Sequence, residues 1–169
     1  MFSCLAKYRG ARRNPPSLQH FSHLTNLMCK PGYSTVLAAP IVVTHITFSL
    51  YKAHAKLRTL VSELLAAMCV LSPDEGRKLV LGGLSEFRTA HAERFRFEGL
   101  VQYLKIGHDS DDSGAENNDD TDEGIWDARA ATMSLINALA NCPQSVEDRV
   151  MLREEFSRRG LNEAIVVSR

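Results

Sequence analysis

Apolar residues recur along most of this 169-residue chain at the spacing that places them on one face of an α-helix. The strongest run lies in residues 54–71, with apolar residues at i, i+3, i+4, i+7, i+11 and i+14: Leu57, Leu60, Val61, Leu64, Met68 and Leu71. This pattern predicts a helix that buries these residues. Similar patterns predict helices over about residues 41–51, 92–106 and 126–141. The alternating pattern of a β-strand is absent from the sequence.

Turn and capping residues predict where several of these helices begin and end. Ser72 and Pro73 suit the N-cap and the first position of a helix. Pro143 has no N–H to donate, so it ends the helix before it, and Ser145 can cap the helix that follows. Gly160 suits the left-handed residue just beyond that last helix. The predicted helices are therefore separated by breaks of only a few residues.

The predicted helix between Ser145 and Gly160 is strongly charged. Two pairs of opposite charge lie four residues apart on its solvent side, Glu154 with Arg158 and Glu155 with Arg159. Such pairs stabilise a helix by only a few tenths of a kcal/mol. Arg149 and Arg153 also lie four apart on one face. We predict that these two arginines, together with Glu154, form a partly buried charge network with neighbouring helices.

Short helices with one wide apolar face cannot bury that face by themselves. They must stack on neighbouring helices, and a chain made of such helices with short breaks is typical of an α-solenoid. The pattern therefore predicts an all-α fold class, with the helices stacked as repeats.

Two segments do not fit the helical pattern. Residues 1–23 contain a basic cluster, a Pro-Pro pair and scattered serines, and we predict a disordered tail there. Residues 109–123 are rich in Asp and Glu with almost no apolar residue. Such a segment cannot bury enough surface to offset the entropy lost on ordering, so a disordered loop is predicted. The helical domain is therefore expected to span residues 24–169.

The composition is that of an ordinary globular chain, with 44% apolar residues, 24% charged residues and a formal net charge of zero. This balance favours neither nucleic acid nor a membrane surface as a partner. The apolar run over residues 36–51 is short and broken by Pro40, so no membrane span is predicted. The first 62 residues contain eight Lys or Arg and no Asp or Glu. Because such a terminus is also typical of a mitochondrial presequence, a mitochondrially targeted helical-repeat scaffold is the alternative interpretation.

No motif in the sequence indicates an enzyme or a metal site. The six His and four Cys residues are scattered, without the spacing of a nucleophile and its base or of a zinc site. Gly-rich nucleotide-binding loops are also absent. Residues 109–120 partly match a calcium-binding loop, but Asp120 stands where the bidentate Glu is needed, and Glu116 replaces an apolar anchor. We therefore predict a binding scaffold with no catalytic residue, no metal and no cofactor.

Three sequence elements, in the same order, resemble the formin homology 3 region of diaphanous-related formins. They are LVSELLAAMCVLSPDEGRKLVL, ERFRFEGLVQYL and ATMSLINALANCPQSVEDRVMLREEFSRRGL. The last element carries the family's I-N-A-L followed by R-x-x-L-R-x-E-F-x-x-x-G-L. The resemblance extends over roughly residues 24–169, and the acidic insertion before the third element is similar to fungal members of the family.

This resemblance implies an armadillo-like superhelix in a cytoplasmic, cytoskeleton-associated protein. In the family, this domain binds a C-terminal amphipathic autoinhibitory helix and, with a preceding segment, a Rho-type small GTPase, in actin cytoskeleton organisation. The family's groove positions match Ala67 and Val70 in LLAAMCVL and Asn137 in LINALA. Ala67 and Val70 lie three residues apart on one helical face. Without the resemblance, these two residues and Asn137 would all be interpreted as core residues.

The first segment of the chain departs from the family pattern. Residues 1–23 do not resemble the GTPase-contacting segment, and the proline-rich and actin-assembling regions of formins have no counterpart in the sequence. We therefore expect a truncated member of the family that contacts actin only indirectly and does not nucleate actin filaments.

Overall fold

The computed structural model describes residues 30–105 and 122–167. The chain divides into two compact units, residues 1–35 and 36–169, and only residues 30–35 of the first unit are described. The predicted tail over residues 1–23 and most of the predicted acidic loop lie outside the described residues. The core and the candidate site both belong to the second unit.

The described residues form helices joined by short turns, and they contain no β-strand. The helices are α1 (Lys30–Leu37), α2 (Pro40–Phe48), α3 (Ala55–Leu71), α4 (Glu75–Ala90), α5 (Glu98–Lys105), α6 (Asp122–Asn141), α7 (Val146–Arg158) and α8 (Leu161–Val167). The predicted all-α fold class is confirmed. Within the described ranges, no helix is both long and apolar enough to span a membrane.

The helices of the second unit pack side by side. Helix α3 lies along α6 in the most extensive contact between any two described helices, and α2 lies along α4. Helix α4 also contacts α3, α7 contacts α6, and α5 contacts both α6 and α8. Each helix therefore covers part of a neighbour's apolar face, as the sequence pattern requires.

The core is centred on the seam between α3 and α6. Its largest buried members on these two helices are Leu65, Met68, Leu135 and Leu139. Two hydroxyls inside the core bond to the backbone: the Oγ1 of Thr132 donates to the carbonyl of Ala128 at 2.7 Å, and Thr47 bonds in the same way within α2. These bonds satisfy the buried polar atoms, so the hydroxyls do not weaken the apolar packing.

The predicted apolar stripe of α3 is only partly the buried face. Leu65 is fully buried, whereas Leu64 is half-buried and Leu71 is exposed. The prediction that Leu64 lies in the buried stripe is therefore wrong. Helix α3 carries leucines on several sides, so its periodicity does not select a single face. Helix α6 selects the face by packing against the side that contains Leu65.

The predicted cap at Ser145 and the left-handed residue at Gly160 are present. The Oγ of Ser145 accepts a hydrogen bond from the Asp148 N–H at 3.3 Å and caps α7. Gly160 has a φ of +80°, in the left-handed region that glycine adopts without strain. The prediction that Ser72 is the N-cap of α4 is wrong, because α4 begins at Glu75 with Asp74 as its N-cap, and Ser72 instead ends α3 while its Oγ accepts from the Gly76 N–H at 3.2 Å.

Other helix boundaries also differ from the prediction, and α2, predicted to run to about residue 51, ends at Phe48. The helix predicted over residues 92–106 begins only at Glu98, because the backbone at Ala92 and Phe97 is left-handed, with φ of +54° and +72°. Helix α6 begins at Asp122 rather than at about Trp126, so the last two residues of the predicted acidic loop are helical. Their carboxylates lie at a helix N-terminus, where the helix dipole favours negative charge.

Helix α4 contains two consecutive glycines, Gly82 and Gly83, and the packing requires a glycine only at Gly83. A Cβ at Gly83 would lie 2.6 Å from the buried Oγ1 of Thr47, whereas one at Gly82 would meet nothing within 4 Å. Gly83 therefore lets α4 approach α2 closely.

Candidate partner-helix groove

The three predicted groove residues lie on the outer faces of α3 and α6. The side chain of Val70 is 50% exposed, Ala67 is half-buried, and Asn137 is exposed. Ala67 and Val70 follow one another along the side of α3 that faces away from Leu65. Because α3 and α6 are packed along each other, residues on both helices can contact one extended ligand. The core interpretation does not hold for Val70 or Asn137, since neither side chain is buried.

The amide of Asn137 is held by its own helix. Its Oδ1 accepts a hydrogen bond from the Nδ2 of Asn141, one turn later, and its backbone carbonyl accepts from the same Nδ2 at 3.1 Å. The Oδ1 of Asn141 in turn accepts a hydrogen bond from the guanidinium of Arg153 on α7. A chain of hydrogen bonds therefore connects the candidate groove residue Asn137 to α7 and restricts its orientation.

The residues of the predicted charge network make different contacts from those expected. Arg149 donates to the carbonyl of Pro143 at 3.2 Å, at the turn before α7, and Arg153 bonds to Asn141. Glu154 pairs with Arg158 at 3.1 Å within α7, and both side chains are exposed. The two arginines therefore bind the α6–α7 turn and the end of α6 through neutral oxygens. Glu154 forms a surface pair, as its four-residue spacing from Arg158 allows.

Other residues carry the ion pairs between helical segments. Arg77 of α4 pairs with Asp148 of α7 at 3.4 Å, and Arg96, in the turn before α5, pairs with Glu155 of α7 at 2.6 Å. The Arg96–Glu155 pair is bidentate, with a second bond of 3.2 Å. Sequence reasoning missed the Arg96–Glu155 pair because it assigned Glu155 to a local pair with Arg159. It missed the Arg77–Asp148 pair because the two residues are 71 positions apart in the sequence. One indication of the Arg96–Glu155 pair was present in the sequence: Arg96 lies in the family-like element ERFRFEGLVQYL, and Glu155 lies in the R-x-E-F part of the last family-like element.

The seam beneath the candidate groove is dry and apolar. Cys69 is fully buried in α3. Burial, with a smaller contribution from Cys142, raises the pKa of its thiol to about 12, although the positive charge of Arg77 acts in the opposite direction. The thiol therefore stays protonated and behaves as an apolar group. No group of three or more His, Cys, Asp or Glu side chains that could hold a metal occurs in the part of the chain that the structure describes.

An apolar cleft of about 340 Å³ continues from the outer face of α6 toward α8. Its lining residues are Leu104, Trp126, Arg129, Ala130, Met133, Ala164 and Ile165. Ala130 and Met133 lie on α6 at seven and four residues before Asn137, so the cleft and Asn137 share one side of the helix. This cleft could not be predicted from the sequence, because Ile165 lies in α8, and no capping or periodic pattern predicted that helix.

Comparison with known proteins identifies relatives of this chain. The family model described as "Diaphanous FH3 Domain" matches residues 77–169. The chain is 30% identical over 146 residues to Formin-F of Dictyostelium discoideum, covering 86% of this chain and 11% of that protein. It is 30% identical over 138 residues to Formin-like protein 3 of Homo sapiens, covering 82% of this chain and 12% of that protein. Formin-like protein 2 of Homo sapiens is 29% identical over 132 residues, which cover 78% of this chain and 11% of that protein.

The chain thus spans about a tenth of the length of these relatives. None of the three is a fungal protein, and the predicted fungal origin stays a prediction. The family model covers more than half of the chain, including α6 and α7 and most of α4. The three elements that resembled the formin homology 3 region fall within the helices α3 to α7 and their turns. The chain belongs to the Diaphanous FH3 domain family of the formins.

Proposed function

We propose that this chain is a regulatory protein-interaction module of a formin and that it binds an amphipathic autoinhibitory helix over Ala67, Val70 and Asn137. The exposure of Val70 next to a packed α3–α6 pair is the observation that carries the proposal. An exposed Val beside a half-buried Ala forms a shallow apolar surface of the kind that accepts the apolar face of a ligand helix.

The polar part of the proposed site is the amide of Asn137. A ligand helix leaves backbone carbonyls unsatisfied in its last turn, and an Asn side chain can donate to them. Because the Oδ1 of Asn137 already accepts from Asn141, its Nδ2 is the group that donates to the ligand. The proposed site therefore combines an apolar anchor on α3 with an oriented donor on α6.

The wider role of the module follows from its family. We propose that the chain contributes to binding of a Rho-type small GTPase, acts in the cytoplasm at the actin cytoskeleton, and contacts actin only indirectly. It is not an enzyme in this proposal, since its function consists of binding. Displacement of the ligand helix by the GTPase would couple these two binding events.

Titration of a labelled peptide, taken from the C-terminal autoinhibitory segment of a formin, tests the groove. The Ala67→Asp variant places a carboxylate against the apolar face of the ligand without a partner. We expect it to weaken binding by about 100-fold or more, because desolvation of the unpaired charge costs several kcal/mol. Asn137→Asp removes the donor and should also weaken binding.

Two control variants separate the groove from the core. Ala90→Asp makes the same change at an exposed position on α4 and should leave peptide affinity unchanged. Leu65→Asp introduces a charge into the core and should unfold the chain in circular dichroism. If the folded wild type does not bind the peptide, or if Ala67→Asp unfolds like Leu65→Asp, the proposed groove is wrong.

A further inference from the structure

A buried arginine in α3 has no carboxylate ion-pair partner in the part of the chain that the structure describes. Arg58 is 9% exposed, and its Nη2 donates to the carbonyl of Leu50 at 2.8 Å. Its guanidinium stacks on the ring of Tyr103 at 4.1 Å, but its buried Nε has no acceptor among the described residues. No Asp or Glu of the described ranges lies within 4 Å of it as an ion-pair partner. Buried charges in proteins are normally paired with an opposite charge, and the Arg58 guanidinium departs from this rule.

A second nearly buried arginine, Arg77, has hydrogen-bond and ion-pair partners for its guanidinium and serves as a comparison. Arg77 is 8% exposed; its Nε donates to the carbonyl of Pro73 at 3.0 Å, and its Nη2 pairs with Asp148 at 3.4 Å. Arg58 has the same depth of burial but lacks both an Nε acceptor and an anion. The difference between them is that no carboxylate of the described residues forms an ion pair with Arg58.

A cavity of about 120 Å³ lies beside Arg58. Its polar lining is Arg58, Lys52 and Glu93, and its apolar walls come from Leu50, Leu84, Phe87, Phe97 and Leu100, with Tyr51 at the rim. The cavity reaches the surface where Tyr51 and Lys52 are exposed. It has the volume of about four liquid-water molecules, which is enough for a carboxylate on a short apolar chain.

The backbone around this cavity is unusual. Lys52 and Phe97, both lining it, have φ of +47° and +72°, and Ala92, next to the lining residue Glu93, has φ of +54°. These are all the non-glycine residues with left-handed φ in the described ranges. Non-glycine residues in this region are strained, and such residues cluster at ligand sites. The three strained residues thus surround one cavity.

We propose that the Arg58 cavity binds a small monocarboxylate group with a short apolar chain. The guanidinium and the Lys52 ammonium supply two positive charges, and the apolar walls cover the chain of the ligand. Glu93 is the anionic group in the lining. Burial, with a smaller contribution from Glu98, raises the pKa of its carboxyl, while a hydrogen bond from the Gly99 backbone acts in the opposite direction.

The Nε–H signals of the two buried arginines in ¹H–¹⁵N spectra test this proposal directly. Sodium butyrate represents a free acid, N-acetylglutamate α-amide represents a glutamate side chain of a peptide, and sodium chloride at equal ionic strength is the reference. We expect the Arg58 signal to shift saturably with a carboxylate and not with chloride. The Arg77 signal should stay in place, and the stronger of the two carboxylates identifies the source.

Two variants make the test specific. Arg58→Met keeps the length of the side chain without its charge and should weaken carboxylate binding by about tenfold or more. Lys52→Met changes an exposed residue at the rim, so it preserves the fold, and should weaken binding by about two- to fivefold. An Arg58 Nε–H signal that does not move, or that moves equally with chloride, would overturn the proposal, as would unchanged affinity in the Lys52→Met variant.

Discussion

Helix α6 and helix α7 follow each other along the chain but are held in different ways. Helix α6 buries eight residues, most of them Ala, Leu or Ile, whereas α7 buries only Leu152 and Phe156. Helix α7 instead has charged links to distant segments through Asp148 and Glu155. The two helices show that an amphipathic pattern predicts a helix but does not predict how much apolar surface holds it.

The magnitudes of the interactions decide which contact dominates in α7. A buried aromatic side chain contributes several kcal/mol, while a partly exposed ion pair contributes about 0–1 kcal/mol. The ring of Phe156 stacks on Phe97 with centroids 4.3 Å apart. We infer that this stack provides most of the stability of the α7 contact and that the ion pairs mainly set its register.

The first prediction removes the apolar anchor of α7. Phe156→Ala should lower the free energy of unfolding by about 3–5 kcal/mol, because it leaves a cavity and removes the ring on which Phe97 stacks. The measurement is urea unfolding, with Val150→Ala, an exposed position on the same helix, as the control. The control should change the stability by no more than about 0.5 kcal/mol. Similar losses in both variants would show that Phe156 is not the anchor.

The second prediction tests the dryness of the α3–α6 seam through Cys69. Its thiol has a pKa of about 12 in the folded chain, against an ordinary value of 9.0. Between these values the unfolded chain loses the proton and the folded chain keeps it, so stability falls as pH rises. At pH 10 the loss relative to neutral pH should be about 1.4 kcal/mol, and it disappears below about pH 9.

The comparison for this second prediction is Cys69→Ala, which removes the titrating group. Urea unfolding at several pH values between 7 and 10 gives the pH dependence of each protein. The wild type should lose more stability than the variant over this range. Equal pH dependence would mean that solvent reaches the thiol and that the seam is not dry.

The third prediction concerns the ion pairs, where the expected effect is smallest. Glu155→Gln breaks the bidentate pair with the half-buried Arg96 and should cost about 0.5–1 kcal/mol. Glu154→Gln breaks only the exposed pair with Arg158 and should cost about 0.3 kcal/mol or less. The difference should persist at 1 M NaCl, because a partly buried pair is screened less than an exposed one. Equal costs at low salt would contradict this ranking.

Much of the local structure was readable from the sequence. The cap at Ser145 and the left-handed Gly160 are confirmed, because each depends on a side chain and backbone within a few residues. The start of α5 was not readable, since the turn before it depends on the left-handed Phe97, which is buried against Phe156 of α7. A contact between residues so far apart in sequence leaves no periodic signal.

The candidate site was predictable only through the family resemblance. The residue types of Ala67 and Val70 predict burial in the core, and Asn137 lies in an otherwise apolar helix. Their exposure depends on which side of α3 and α6 is covered, and this is a property of the packed pair. The Arg58 cavity is still harder to predict from the sequence, because its lining comes from four separate segments: residues 50–52, residue 58 on α3, residues 84 and 87 on α4, and residues 93–100 in the following turn and the start of α5.

By itself, the sequence determined the fold class, the helix ends that depend on local capping and the family to which the chain belongs. Only the tertiary structure decided that Leu65 rather than Leu64 is the core residue of α3, that Glu155 pairs with Arg96 rather than Arg159, and that Arg58 is buried without an anion. The physical reason is the distance along the chain over which each interaction acts. Caps and helical periodicity act within about one turn of helix. Burial and ion pairing are set by whichever neighbouring helix covers a given side.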